Sequence, residues 1–295
     1  MEMCIRVLEE RCTRGGGFAY LPGGEPRPDA TCWAILALQA SGGRREPAER
    51  AKDALAKMQR SDGRVCISPR HREACWPTAL AILAWQGSSR HEGRRGKAVR
   101  FLLDSQGRRI PDNTVGVTAS DCTSEGWPWV AGTHSWVEPT AYALLALRIS
   151  GYGAHDRAQA AGQLLLHRQL SAGGWNYGNT VVFGRELHPM PETTGMALQA
   201  LADVAPPSRV EKSLSYLRSQ APSLRTPFAV AWTTLGLSAW QEQSSNEHEP
   251  LDSIIRKQEQ DSPCDTVSLS LLILARCCRR GLVDFLSLVS SKERE

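Results

Sequence analysis

The chain has 295 residues, 41% of them hydrophobic and 22% charged, with a formal net charge of +4. That length supports one large core or two ordinary ones, and that balance excludes a disordered chain. So mild a charge argues against a nucleic-acid partner, and the Arg-rich stretches GGRREP and HEGRRGK read as solvated turns.

In chain order, MCIRVLEERC shows helical spacing of its apolar residues and gives way to GGGFAY, a glycine-aromatic turn. DATCWAILALQA then predicts a helix near 29–40 that is apolar on almost every side. The alternation continues. PAERAKDALAKMQ is amphipathic and precedes WPTALAILAWQ, an apolar helix near 77–87. GRRGKAVRFLLDSQ leads through EGWPW to VEPTAYALLALRIS, near 138–149. HDRAQAAGQLLLHRQ leads through GGWNYG to ETTGMALQALAD, near 192–203. PPSRVEKSLSYLRSQ precedes TPFAVAWTTLGLSAW, near 227–239, and EPLDSIIRKQ precedes CDTVSLSLLILA, near 265–278. In four apolar copies a threonine is followed by alanines at fixed helical offsets: Thr31, Ala34 and Ala37; Thr78, Ala81 and Ala84; Thr140, Ala143 and Ala146; Thr194, Ala197 and Ala200. Polar copies end at or near a glutamine, as at Gln59, Gln106, Gln169, Gln220 and Gln258.

A helix without a polar face must be buried all round. Six such helices, each with an amphipathic partner, close naturally into two concentric layers. The expectation is an all-α single domain over 1–295, an (α/α)6 toroid, with a strongly helical circular dichroism spectrum and little strand. Asp29, Glu138, Glu192 and Asp265 fall at the starts of apolar helices, where an acid suits the exposed N–H groups and the helix dipole. Nine cysteines without a CxxC pair fit reduced, partly buried thiols. No opening apolar run suggests a leader or a span. A cytoplasmic protein is expected, with peripheral membrane contact open as a way to collect an apolar substrate.

The glycine-aromatic turns followed by TAxALxAL helices resemble the prenyltransferase and squalene-oxidase repeat superfamily. That group holds squalene–hopene cyclases, the β domains of class II terpene cyclases and the β subunits of protein prenyltransferases. GWPWVAGTHSWVEPTAYALLAL and GGWNYGN with PMPETTGMALQAL resemble its stand-alone bacterial members, and the resemblance runs through essentially the whole chain. It implies isoprenoid chemistry in a central aromatic cavity, with a polyprenyl or triterpene-like ligand.

The aromatic residues suit that chemistry. Ring faces stabilise a carbocation without offering it a nucleophile. Candidate substrate-binding residues are Trp33, Trp127, Trp129, His134, Trp136, Trp175, Tyr177 and Trp232, with Trp76 beside them. Bracing of helices and turns is the competing role for these tryptophans. The resemblance implies a proton donor where cyclases carry the middle Asp of DxDD. Here the matching stretch is RPDAT, so Asp29 takes the donor's place, flanked by Arg27 and Ala30 instead of acids. Glu138 and Glu192 are the alternative acids, and helix capping is the competing role for all three.

The protein prenyltransferase branch implies zinc, held by an Asp and a Cys two residues apart with a distant His. No DxC occurs. Asp29 with Cys32, and Cys264 beside Asp265, are the nearest substitutes, and neither His71 nor His188 has a place as third ligand. No zinc, magnesium or other cofactor is expected. His71 and Cys75 have i, i+4 spacing and form a further candidate pair, with packing as the alternative. A glycosidase toroid would need facing acids, for which Asp121, Glu125 and Glu138 are available. Two function classes therefore stand: a terpene-cyclase-like or prenyltransferase-like enzyme, and a non-catalytic toroid that binds a lipid or a protein. A deep aromatic pocket holding one buried carboxyl favours the first. A filled centre favours the second.

Overall fold

A computed structural model describes residues 1–108, 118–119, 125–241, 248–260 and 264–292. Helices dominate, in pairs: α1 (Glu2–Glu10) and α2 (Pro28–Ser41), α3 (Arg45–Met58) and α4 (Pro77–Ala84), α5 (Glu92–Asp104) and α6 (Val137–Ile149). The pairs continue with α7 (Asp156–His167) and α8 (Pro191–Leu201), α9 (Pro207–Gln220) and α10 (Pro227–Ala239), α11 (His248–Gln260) and α12 (Thr266–Cys277). In each pair the second helix is the apolar one. Every residue from Pro28 to Leu38 of α2, and from Thr266 to Ala275 of α12, is buried.

The apolar helices touch in a cycle. Each of α2, α4, α6, α8 and α10 contacts the next, and α12 returns to α2. The amphipathic helices lie outside, each behind the apolar helix of the preceding pair: α3 on α2, α5 on α4, α7 on α6, α9 on α8, α11 on α10 and α1 on α12. Prolines open α2, α4, α8 and α10, where a missing N–H costs nothing.

The repeated threonine is a latch. Thr31, Thr78, Thr140 and Thr194 each accept the backbone N–H of the preceding turn, from Phe18 (2.9 Å), Val65 (2.9 Å), Trp127 (3.0 Å) and Trp175 (3.0 Å). At Thr31, Thr140 and Thr194 the hydroxyl also donates back to that residue's carbonyl, as from Thr140 to Trp127 at 3.4 Å. One side chain thus satisfies both main-chain groups of a buried turn residue. Thr140→Val keeps the shape and removes both bonds, so it should cost about 1–3 kcal/mol in chemical unfolding. An unchanged unfolding midpoint would show that the latch is not a stabilising element.

Glycine lets the turns before α2, α4 and α8 rest on the next amphipathic helix. At Gly63 (φ +96°) a Cβ would stand 2.2 Å from the Lys97 carbonyl oxygen of α5. Glycine brings α8 and α10 equally close, and a Cβ on Gly195 of α8 would lie 2.2 Å from the Trp232 carbonyl oxygen of α10.

Two elements fall outside the sequence pattern. Strands β1 (Thr118–Ala119), β2 (Val181–Val182) and β3 (Arg185–Glu186) form a small antiparallel sheet in the order β1-β2-β3. Helix α13 (Gly281–Lys292) packs on α6, α8 and α10, where the Leu282 N–H donates to Gln199 Oε1 at 3.0 Å.

Candidate active site

Three acids sit in the first turns of α2, α6 and α8, but they do not cap them. The cap positions themselves are Arg27, Trp136 and Met190, none of which makes a side-chain cap bond. The partners of Asp29 and Glu138 are side chains, whereas Asp265 caps α12 by accepting the Ser268 N–H at 2.9 Å. The capping expected of all four acids is realised only at Asp265. The dipole term remains available to the others.

Each of the three acids has a different environment. Asp29 is 4% exposed and is gripped by Arg27, with Nε to Oδ1 at 3.0 Å and Nη2 to Oδ2 at 2.6 Å. The Arg27 backbone is extended just before the helix, which turns its guanidinium back onto the acid two residues on. Such a bidentate pair leaves Asp29 an ion-paired carboxylate. Glu138 has no cationic partner of that kind among the described residues. Its Oε1 accepts the Tyr142 hydroxyl at 2.9 Å, one helical turn on. Burial raises the Glu138 carboxyl to about 7, Tyr142 opposes that shift, and the nearby Glu192 charge adds to it. Glu192 is half-buried and also raises Tyr216, where burial is the larger cause.

The aromatic residues divide into two groups. Trp33 of α2, Tyr142 of α6 and Trp232 of α10 meet inside the cycle, with centroids 5.7 Å (Trp33–Tyr142), 5.5 Å (Trp33–Trp232) and 6.1 Å (Tyr142–Trp232) apart. All three are at most 2% exposed, so they fill the space between these helices. The buried Trp232 indole N–H meets no acceptor among the described residues. Half-buried Trp76 stacks on Tyr142 at 6.4 Å and meets Trp129 edge-on at 5.0 Å. Trp136 lies against His134 at 4.6 Å, and Tyr177 is 46% exposed on the neighbouring turn. Burial holds the His134 imidazole below its usual range, and Arg168 adds to that.

Trp127 and Trp175 face outward instead. The Trp127 indole donates to the Leu102 carbonyl at 3.0 Å and to Ser105 Oγ at 3.1 Å, under a stacked Arg157 guanidinium 4.2 Å away. The Trp175 indole donates to the Leu165 carbonyl at 2.6 Å. Both therefore tie a turn to the helix behind it.

Tyr142 was missing from the sequence-derived candidates. The signal was there, since Tyr142 follows Glu138 by one helical turn on the same face.

Among the described residues, the remaining candidate pairs do not assemble. Glu125 lies 3.6 Å from Arg157, and Asp121 lies outside the described residues. His71 Nδ1 meets Ser68 Oγ at 2.9 Å, and Cys75 faces Cys66. Cys32 is buried beneath Asp29, and both burial and that charge raise its thiol. No group of three or more His, Cys, Asp and Glu side chains among the described residues is placed to hold a metal ion. No helix there is long and apolar enough to cross a membrane.

No family model matches the sequence, and no curated protein does. Solved structures do match over nearly their full length. A protein from Actinoplanes is 14% identical with a TM-score of 0.63, over 94% of this chain and 98% of that one. A variant of the type II terpene cyclase MstE from Scytonema, in complex with its substrate geranylgeranyl dihydroxybenzoate, is 12% identical with a TM-score of 0.59, over 98% and 96%. A family 76 glycoside hydrolase, a mannosidase from Bacteroides thetaiotaomicron, is 10% identical with a TM-score of 0.55, over 100% and 98%. Identities this low speak for architecture and not for chemistry. Together with the cycle of apolar helices, they establish that the chain has a terpene-cyclase-like fold.

Proposed function

We propose that this protein is an (α/α)6 toroid of isoprenoid metabolism, binding a polyprenyl or triterpene-like chain at its aromatic mouth and transferring a proton to it from Glu138. The observation that carries this reading is the Glu138–Tyr142 pair against the aromatic cluster. A carboxyl raised to about 7 is protonated in about half of the molecules at neutral pH, where an ordinary glutamate has almost wholly lost its proton. Asp29, the motif's own position for the donor, is engaged by Arg27, and so Glu138 takes the role here. Trp76, Trp129, Trp136 and Tyr177 are the partly exposed rings that meet the chain first, and Trp33 and Trp232 form the wall behind Tyr142. Glu138 is a far milder acid than an unactivated alkene requires. The reading therefore favours a chain bearing a more basic group at the end that meets Glu138.

The test offers prenyl diphosphates, prenyl alcohols and squalene-type chains to the wild type, Glu138→Gln, Asp29→Asn and Glu192→Gln. Glu138→Gln should bind but not convert, a loss of turnover of at least about a hundredfold from removing the proton donor. Asp29→Asn should act through stability alone. Conversion by Glu138→Gln at the wild-type rate would remove Glu138 from the mechanism.

The filled centre favours a second reading, a non-catalytic toroid that holds a lipid or a protein at the same mouth. Under it, no chain is converted by any variant, while binding is unchanged by Glu138→Gln.

A further inference from the structure

The second turn differs from the turns before α6 and α8 at one point. In the turns before α2, α6 and α8 the residue latched by the threonine is Phe18, Trp127 or Trp175, and the two tryptophans tie the turn to the helix behind through an indole N–H. In the turn before α4 the latched residue is Val65, which has no such donor. The next residue is Cys66, whose Sγ stands 3.3 Å from that of Cys75.

We infer that Cys66 and Cys75 are a redox-active thiol pair, bridging into a disulfide that fastens this turn as tryptophan fastens the turns before α6 and α8. The backbone sets up the contact. The Ile67 N–H donates to the Ala74 carbonyl at 2.9 Å, and the two cysteines are the residues on either side of that bond. Both thiols point the same way, each within reach of the Arg72 carbonyl, Cys66 at 3.2 Å and Cys75 at 3.0 Å. Cys75 is half-buried and Cys66 is buried behind it, so a small oxidant reaches the pair through Cys75. Thr78 accepts the Val65 N–H and donates to the Cys75 carbonyl at 2.6 Å, which ties the pair to the start of α4. Trp76, the residue after Cys75, stacks on Tyr142, so the bridge anchors one wall of the aromatic mouth.

The oxidant is a small-molecule disulfide. The Cys75 thiolate attacks one of its sulfurs, forms a mixed disulfide and expels one small thiolate. The Cys66 thiolate then attacks Cys75 Sγ, forms the internal S–S bond and expels the second. The protein loses two protons and two electrons, and the small disulfide becomes two thiols. Burial, and a hydrogen bond with Cys66, raise the Cys75 thiol to about 12, so the exchange is slow at neutral pH and is best read at its end point.

The test incubates the native, full-length protein with excess oxidised glutathione, then unfolds it, alkylates free thiols and maps peptides by mass. Cys66 and Cys75 should be protected and linked, with the protein two hydrogens lighter and fully restored by dithiothreitol. Trypsin cuts at Arg70 and Arg72, inside the bridged loop, should leave fragments that separate only on reduction. Cys66→Ser should stop at a glutathione adduct on Cys75. The inference fails if both thiols remain alkylatable, if each carries its own glutathione, or if the bridge joins other cysteines.

Discussion

At pH 8, Glu138→Gln should be more stable than the wild type by about 1–3 kcal/mol, and at pH 4 the two should be equal. The carboxyl titrates near 7 in the folded protein and near its ordinary 4.5 once unfolded, burial being the main cause. Below both values each state carries the proton, and the acid has no effect on the folding equilibrium. As pH climbs from 4.5 to 7 the unfolded chain ionises first, so wild-type stability falls across this window and then levels off. Glutamine has nothing to ionise and still accepts the Tyr142 hydroxyl through its oxygen. The lower end of the range allows for the partial access of water to Glu138. Denaturant unfolding of both proteins from pH 4 to 8 reads the difference directly. A gap that does not change with pH would mean that the buried-acid account of Glu138 is wrong.

Gly195→Val should cost about 3 kcal/mol or more, at or beyond the upper end of ordinary overpacking. The clash is with backbone and not with a movable side chain: a Cβ would meet the Trp232 carbonyl oxygen at 2.2 Å and the Thr233 nitrogen at 3.2 Å. Helices α8 and α10 would have to separate, and Trp232 would be drawn away from Trp33 and Tyr142. Gly96→Ala is the control, since a Cβ there meets nothing within 4 Å on helix α5. It should stabilise by about 0.5–1 kcal/mol through helix propensity alone. Similar thermal shifts for the two variants would show that close approach of α8 and α10 does not hold the apolar layer together.

The helical architecture was legible because its signal is redundant. Apolar periodicity, threonine offsets and glycine-aromatic turns recur in copy after copy, so one degenerate copy changes little. The site was less legible because its chemistry depends on single contacts. Asp29 holds the motif position, yet its partner is set by the direction in which Arg27 turns, and no spacing rule encodes that. Glu138 resembles its two counterparts in sequence and differs from them through Tyr142 and the absence of a guanidinium. Trp127 and Trp175 look like Trp33 and Trp232 on composition alone, but the side of the helix from which each approaches separates brace from wall. Helix α13 was not anticipated, since its apolar residues follow the last recognisable copy and obey none of the repeat's offsets.

The return of α12 to α2 has a consequence for how the molecule comes apart. In an open array the terminal units have one neighbour each and fray before the middle does. Here every apolar helix has a neighbour on both sides, and Arg11 and Thr266, from opposite ends of the chain, share a hydrogen bond of 3.2 Å. Melting any one unit strips a flank from two others at once. No unit is cheap to lose, and unfolding becomes a collective event in which sequence distance ceases to matter.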